Sequence, residues 1–161
     1  MSLTRDRRAV ESLPLRLLVV AVVAGLSVIP AAGALDALRD RSFLDRCSLQ
    51  LRTIVSTAEV VGMEGVGARR SVEVDLASDG ALRAAELEIG GGPEEPTRSS
   101  VILELSSGRR LICQADEPFT WLASPAHERL VTTSTTFTLV MSGSESGGER
   151  LVVCEVAPWI S

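Results

Sequence analysis

An uncharged apolar segment near the beginning of the chain constrains the fold more than any other feature. Residues 17–35 read LLVVAVVAGLSVIPAAGAL, nineteen residues without a charged side chain. As an α-helix rising about 1.5 Å per residue, this segment is roughly 28 Å long, close to the ~30 Å of a bilayer's hydrocarbon core. A small domain could hardly cover such a helix on every side. The segment therefore predicts a transmembrane helix.

The same segment also has the features of a secretory signal peptide. Residues 17–29 have the length of an apolar signal core, Pro30 interrupts it, and Ala32-Gly33-Ala34 matches a cleavage sequence. Both interpretations export the rest of the chain, and they differ in whether the mature protein keeps an anchor. The nineteen-residue length favours retention of the segment. We therefore expect a single-pass membrane protein in which residues 1–16 form a basic cytoplasmic leader.

Arginine residues lie on both sides of the apolar segment. Those ahead of it favour a cytoplasmic start under the positive-inside rule, but others follow it closely, so orientation depends more on the cysteines and strands downstream. The two groups are Arg5, Arg7, Arg8 and Arg16 before the segment, and Arg39, Arg41, Arg46 and Arg52 after it.

Residues 36–61 have the pattern of an amphipathic helix. Apolar residues recur at spacings of three and four, which places them on one helix face. Glycines at 62, 65 and 67 are expected to end this helix. The stripe consists of Leu44, Cys47, Leu51, Ile54, Ala58 and Val61.

Residues 68–161 change to the period of a β-sheet. Val72, Val74 and Leu76 alternate with polar residues, as in a half-buried strand. Connections of hairpin length predict antiparallel pairing, because parallel strands need long crossovers. The predicted fold class is therefore α+β, a long N-terminal helix followed by a small antiparallel β domain. The six predicted strands lie at 72–76, 85–89, 100–105, 110–115, 131–141 and 151–157.

Composition excludes several classes of function. The chain has 16 basic and 21 acidic residues and a net charge of −5, which disfavours nucleic acid as a partner. Every basic residue is arginine, so the chain has neither a P-loop lysine nor a Schiff-base lysine. Asparagine is absent, which removes any N-glycosylation acceptor.

No motif indicates catalysis, a metal site or a cofactor site. His127 is the one histidine, and the three cysteines have no C-x-x-C spacing. No framing sequence places a serine nucleophile. Gly90-Gly91-Gly92 precedes Pro93 and two glutamates rather than a helix, so we interpret it as a mobile turn instead of a phosphate cradle. We expect a protein that is not an enzyme and holds no cofactor.

Two cysteines fall within predicted strands. In an exported domain, Cys113 and Cys154 are candidates for a disulfide that closes a loop of about 42 residues and stabilises the fold by roughly 4 kcal/mol. The alternative is two buried free thiols. Cys47 lies on the helical stripe and is expected to be buried and unpaired. The aromatic residues Phe119, Trp121 and Trp159 are expected to pack rather than to bind a ligand.

The order of these segments resembles the archaeal type IV pilin-like and flagellin-like exported proteins. Those proteins have a short basic leader, an apolar helix that continues as an amphipathic helix, and a small β domain. Arg8-Ala9 followed by Val10 looks like the basic-small site that archaeal prepilin peptidases cleave, and residues 68–76 are similar to the first strand after the helix. The resemblance covers about the first 76 residues.

The resemblance implies a structural function. The expected protein is a membrane-anchored, pilin-like subunit or accessory component of a surface filament or secretion assembly, with its β domain outside the cell. Its partners would be membrane lipid, copies of itself and pilus-like assembly proteins. The alternative is a secreted or singly anchored, non-catalytic β domain that binds an envelope partner or a ligand.

Overall fold

The protein is described by a computed structural model that covers the backbone of residues 7–92, 94–115 and 121–157, with side chains from residue 16 except those of 27–31. The fold class is α+β, as predicted. The chain divides into two compact units, Met1–Arg39 and Asp40–Ser161.

The helix α1 extends over Arg7–Glu64, and its last part belongs to the second unit. There the predicted apolar stripe is confirmed: Cys47, Leu51, Ile54, Ala58 and Val61 are all buried. The polar residues between them are half-buried or exposed, so this part of the helix covers the β domain with one face.

The end of α1 differs from the prediction at Val61. The helix passes through Gly62 and ends at Glu64, where Gly65 takes a positive φ of 88° and its N–H donates to the carbonyl of Val61 at 3.0 Å. A glycine in this left-handed conformation is a common helix C-cap. Gly62 lies inside the helix because a helical glycine only weakens a helix, whereas tertiary packing of the stripe stabilises it.

Eight strands follow in the described part of the chain, arranged in two four-stranded sheets. The first sheet has the order β1-β7-β8-β5 and the second has the order β4-β3-β2-β6. The strands are β1 (Arg69–Asp75), β2 (Ala84–Ile89), β3 (Ser100–Leu105), β4 (Arg110–Gln114), β5 (Trp121–Ala123), β6 (Leu130–Thr132), β7 (Thr136–Ser146) and β8 (Glu149–Ala157).

The prediction of a wholly antiparallel β domain is wrong at one pair, because β5 pairs with β8 in parallel. Residues between these strands contain β6 and β7, a connection long enough for a parallel crossover. β5 has only three residues and lies between Pro118 and Pro125, in a stretch that resembles a loop by composition. The sequence pattern therefore did not indicate it.

The predicted strand 131–141 is two strands in different sheets, and residues 142–146, which lie outside the six predicted strands, belong to β7. β7 continues to Ser146, where a two-residue turn of Gly147 and Gly148 leads into β8. Both glycines have positive φ, 61° and 86°. This is the backbone that a tight type I′ hairpin requires, so the serines and glycines of this stretch form a hairpin.

A single large core lies among the two sheets and the second-unit part of α1. Each strand contributes the side chains of one face, as expected for period-two alternation. Phe137, Leu139 and Met141 come from β7, and Leu103 from β3 is fully buried beside them in the same cluster. A smaller cluster on the other face of the first sheet consists of Trp121, Ala123 and Leu151, with Val153 packed against it.

The predicted transmembrane segment 17–35 lies within α1. Within the described residues, no helical stretch is both long and apolar enough to cross a bilayer. The prediction of a transmembrane helix has no support from this result. The side chains of residues 27–31, inside the predicted span, lie outside those described.

Candidate functional site

The most exposed apolar surface of the first unit lies on α1. Leu17, Leu18, Val19 and Val20 are consecutive, and each is at least half exposed. Successive helical residues point about 100° apart, so these side chains surround the helix instead of forming one stripe. A helix that is apolar all round is normally covered by protein or lipid. The further exposed apolar residues of this unit are Val22, Val23, Leu26, Leu35 and Leu38.

The expected processing site lies in the same helix. Arg8, Ala9 and Val10 fall within the backbone of α1, and their side chains lie outside those that are described. Cleavage between Ala9 and Val10 stays a prediction.

The three cysteines lie on three elements of the second unit that contribute to one core. Cys47 of α1 and Cys154 of β8 are fully buried, whereas Cys113 of β4 is half-buried and packs against the same cluster. No disulfide joins any two of these three cysteines in the structure. Cys113 and Cys154 belong to different sheets, and the disulfide between them stays a prediction.

Burial disfavours ionisation of the two deepest thiols. Desolvation raises the pKa of Cys47 to about 11, against a smaller lowering by Arg46 and a small further rise from Asp75. Desolvation alone raises the pKa of Cys154 to about 12. The thiolate is the nucleophile and the metal ligand, so neither residue is a candidate for covalent catalysis.

An ion-pair network, here called the Glu88 network, crosses the outer face of the second sheet. Glu88 of β2 accepts hydrogen bonds from Arg110 of β4 at 3.0 Å and from Arg129, just before β6, at 2.9 Å. Arg129 also donates to Glu95, which lowers the pKa of that carboxyl chiefly through this hydrogen bond. Both guanidinium groups are therefore engaged by carboxylates, and the network joins strands instead of offering an anion site.

The residues around Trp121 form a packed junction. The indole Nε1–H donates to the carbonyl of Gly91 at 2.7 Å, and the ring of His127 meets the indole edge-on at 5.9 Å between centroids. Gly90 and Gly91 are buried, and Gly91 N donates to the Leu122 carbonyl of β5 at 3.1 Å, so this glycine run is a packed turn, which the sequence did not indicate. The physical reason is that β5, which covers the run, was not visible in the sequence.

Two of the aromatic residues and any metal-ligating cluster remain to be placed. Phe119 and Trp159 lie outside the described residues. Over the ranges that the structure does describe, no group of three or more metal-ligating side chains comes together.

Sequence reasoning missed the exposed residue Ile112. It lies on β4 between Leu111 and Cys113, which face the core, and its own side chain is 66% exposed on the outer face. An apolar residue at the polar phase of an alternating strand is the signal that would have found it.

Comparisons of the chain with protein-family models, with curated proteins and with solved structures found no match.

Proposed function

We propose that this chain is a membrane-anchored structural protein, a pilin-like subunit or accessory component of a surface filament or secretion assembly. The observation that carries the proposal is the exposure of apolar side chains all round the first-unit part of α1. Leu17, Leu18 and Val20 are each more than 60% exposed. Their cover in the cell would be lipid or the same segment of other copies.

The contrast with the second-unit part of α1 supports this proposal. There the apolar residues form a stripe that the β domain buries, and the opposite face carries charged residues such as Asp45 and Arg52. Two different apolar patterns in one chain indicate two different environments. A lipid or filament core suits the first pattern, and the chain's own β domain suits the second.

Membrane fractionation of the intact chain tests the anchor. The wild-type chain is expected in the membrane pellet after an alkaline wash, with its β domain outside the cell. A Leu26→Arg variant should shift toward the soluble fraction, because residue 26 is at the centre of the segment 17–35 and an arginine at the centre of a spanning helix costs about 3 kcal/mol. Leu49→Arg is the matched control, since Leu49 is a 66% exposed residue of the second unit.

The mass of the mature chain tests its processing. A chain that begins at Val10 supports cleavage by a prepilin-type peptidase with the anchor retained. Recovery of the full chain freely dissolved in the cytosol, with residues 17–35 still attached, would contradict the proposal.

The second candidate is a released or singly anchored β domain that binds an envelope partner. The observation that favours it is the compactness of Asp40–Ser161, which has a core of its own. A mature chain that begins at Leu35 would identify a signal peptide, remove the anchor and favour this candidate.

A further inference from the structure

The strand β4 lies at one end of the second sheet and pairs with β3 alone among the described strands. The backbone hydrogen bonds from β4 to β3 are made by every second residue of β4. The carbonyl of Arg109 accepts from Leu105 N at 2.9 Å, and Ala115 N donates to Ser99 at 2.9 Å. In an antiparallel ladder every second residue bonds to the neighbour, so the odd-numbered residues face β3. The N–H and C=O groups of Arg110, Ile112 and Gln114 therefore point away from the sheet.

The side chain at the centre of this edge is apolar. Ile112 is 66% exposed, whereas its partner Ile102 on β3 is only 5% exposed on the same face. The apolar surface of this face thus extends from Ile102 to the sheet edge, where the side chain of Ile112 is exposed to solvent. An exposed edge with an apolar centre is a template for another strand.

The other edges of the two sheets differ from β4. β1, at the edge of the first sheet, carries charges at Arg69, Arg70, Glu73 and Asp75, the kind of side chains that oppose edge-to-edge pairing. The remaining edges, β5 and β6, have three residues each. β4 has five residues and one charge.

We infer that β4 pairs antiparallel with β4 of a second copy of this chain, about a two-fold axis that passes through Ile112. In this register all three outward-pointing residues find partners: Ile112 faces Ile112, and Arg110 of each copy faces Gln114 of the other. Leu111 of each copy then lies beside Cys113 of the other over the core side of the sheet. The two second sheets would become one continuous eight-stranded sheet.

The charges of the edge favour this register. Arg110 keeps its own carboxylate partners, Glu88 at 3.0 Å and Glu104 at 3.7 Å, and meets the neutral amide of Gln114 from the other copy. A register that opposed Arg110 to itself would place like charges across the interface, which is destabilising, and would pair only one outward residue. In the alignment centred on Ile112, all three outward residues are paired and no like charges are opposed.

The interpretation of this interface as a lateral contact between filament subunits rests on the proposed function. Its geometry comes from the second unit alone and does not involve the apolar segment of α1. The two proposals can consequently fail separately.

Disulfide trapping of the full chain in detergent micelles tests the axis. In a Cys113→Ser background, Ile112→Cys places two thiols directly opposite each other, at the Cα separation of ~4.4–6.8 Å that a disulfide accepts. Oxidation with copper phenanthroline should convert most of the chain to dimer on a non-reducing gel. Val131→Cys is the matched control, because Val131 is 50% exposed on the same sheet face at the other edge, and it should give little cross-linked dimer.

A mixed experiment tests the register. Arg110→Cys alone and Gln114→Cys alone should give no cross-linked dimer on the gel, since each cysteine faces a residue without a thiol in the other copy. An equal mixture of the two should give the cross-linked heterodimer. A cross-linked dimer both for Ile112→Cys and for the mixture supports the inference. If folded protein with reduced thiols gives neither cross-link after the oxidant is added, the inference is overturned.

Other outcomes are equally decisive. Equal cross-linking at 112, 110 and 131 would indicate random collision in the micelle and overturn the inference. Oligomers without trapping at 112 would place self-association elsewhere, which overturns this interface and leaves the proposed function standing. If Ile112→Cys cross-links but the chain fractionates as a free cytosolic protein, the β4 interface is supported and the proposed membrane anchor is contradicted.

A charge variant gives a second measurement that does not depend on oxidation. Ile112→Glu opposes two carboxylates across the axis and should weaken dimerisation at least about tenfold in sedimentation equilibrium, a change that corresponds to ~1.4 kcal/mol. Val131→Glu should leave it unchanged. Equal dimerisation of both variants would overturn the inference.

Discussion

Gly143 of β7 lies against the backbone of Gly65, just after α1, so closely that a Cβ on Gly143 would come within 2.1 Å of the Gly65 carbonyl oxygen. Two hydrogen bonds join the same segments: Gly67 N donates to Gly143 O at 3.0 Å, and Gly143 N donates to Ala68 O at 2.8 Å. The end of the helix is thereby bonded to the first sheet. Any side chain at position 143 would separate the two.

We expect Gly143→Ala to destabilise the second unit by about 2 kcal/mol or more, because the methyl group must displace backbone rather than a flexible side chain. Urea unfolding of the full chain in detergent, followed by tryptophan fluorescence, measures the change. Ser144→Ala on the same strand is the control and should stay within ~0.5 kcal/mol of wild type. Equal stability of Gly143→Ala and wild type would show that the contact is looser than described.

The Gly90 position allows a second comparison between neighbouring glycines. Gly90 has a φ of 66°, and a Cβ there would meet the Leu122 carbonyl oxygen at 1.8 Å, whereas a Cβ on Gly92 would meet only the tip of Glu95 at 3.8 Å. We expect Gly90→Ala to cost about 2 kcal/mol or more of unfolding free energy, from overpacking and left-handed backbone together. Gly92→Ala should stay within ~0.5 kcal/mol. Thermal unfolding monitored by circular dichroism distinguishes them, and similar losses for both would refute the close approach.

The buried thiols predict a loss of stability at alkaline pH. In the unfolded chain a cysteine ionises near its ordinary pKa of 9.0, whereas the pKa values of Cys47 and Cys154 in the folded state are about 11 and about 12. Their contribution is fully present below pH 9 and declines as the pH rises toward the folded values. Each thiol should reduce the unfolding free energy by about 1 kcal/mol per pH unit in that range.

The measurement is the denaturant midpoint of the full chain between pH 8 and pH 11. A Cys47→Ala and Cys154→Ala double variant is the control: it should be less stable at pH 8 and should lose less stability as the pH rises. A slope that is identical in both proteins would assign the alkaline loss to other groups.

The Glu88 network predicts that replacing the Glu88 carboxylate with an uncharged amide lowers the unfolding free energy. Glu88 has a side chain that is only 12% exposed and binds two arginines, Arg110 and Arg129. We expect Glu88→Gln to cost about 1 kcal/mol, a modest value because both guanidinium groups are more than a third exposed and are screened by water. Chemical denaturation at low and at high salt checks this, and the difference from wild type should shrink as salt increases.

Glu86→Gln is the matched control for that experiment. Glu86 lies on the same strand and face, opposite Glu104, and removal of its charge should be neutral or slightly stabilising. A loss at Glu86 that equals the loss at Glu88 would show that strand charge in general, rather than the network, determines the effect.

The sequence predicted well the elements whose hydrophobic period is long and regular. The stripe from Cys47 to Val61 proved buried because a helix with one apolar face has to cover something, and the β domain supplies the surface. β1 and β2 lie where alternation predicted strands, and β3 lies where a run rich in Val, Ile and Leu predicted one. The sequence did not reveal β5, because three residues are too few to show a period.

The exposed surfaces were less predictable than the core. The Glu88 network depends on residues from β2, β4 and the segment before β6, which the second sheet brings together although they are up to 41 positions apart. The outward backbone of Ile112 depends on which residues of β4 bond to β3. Neither relationship is local, so composition and spacing could not show it.

What the sequence by itself determined is the fold class, the apolar segment at 17–35 and the helical face of residues 44–61, because hydrophobic periodicity is a property of neighbouring residues. The tertiary structure alone decided the division into two sheets, the parallel pairing of β5 with β8, and the positions where Gly90 and Gly143 admit no side chain. These features depend on contacts between residues distant along the chain, and the free energy of such contacts exists only after the elements have packed.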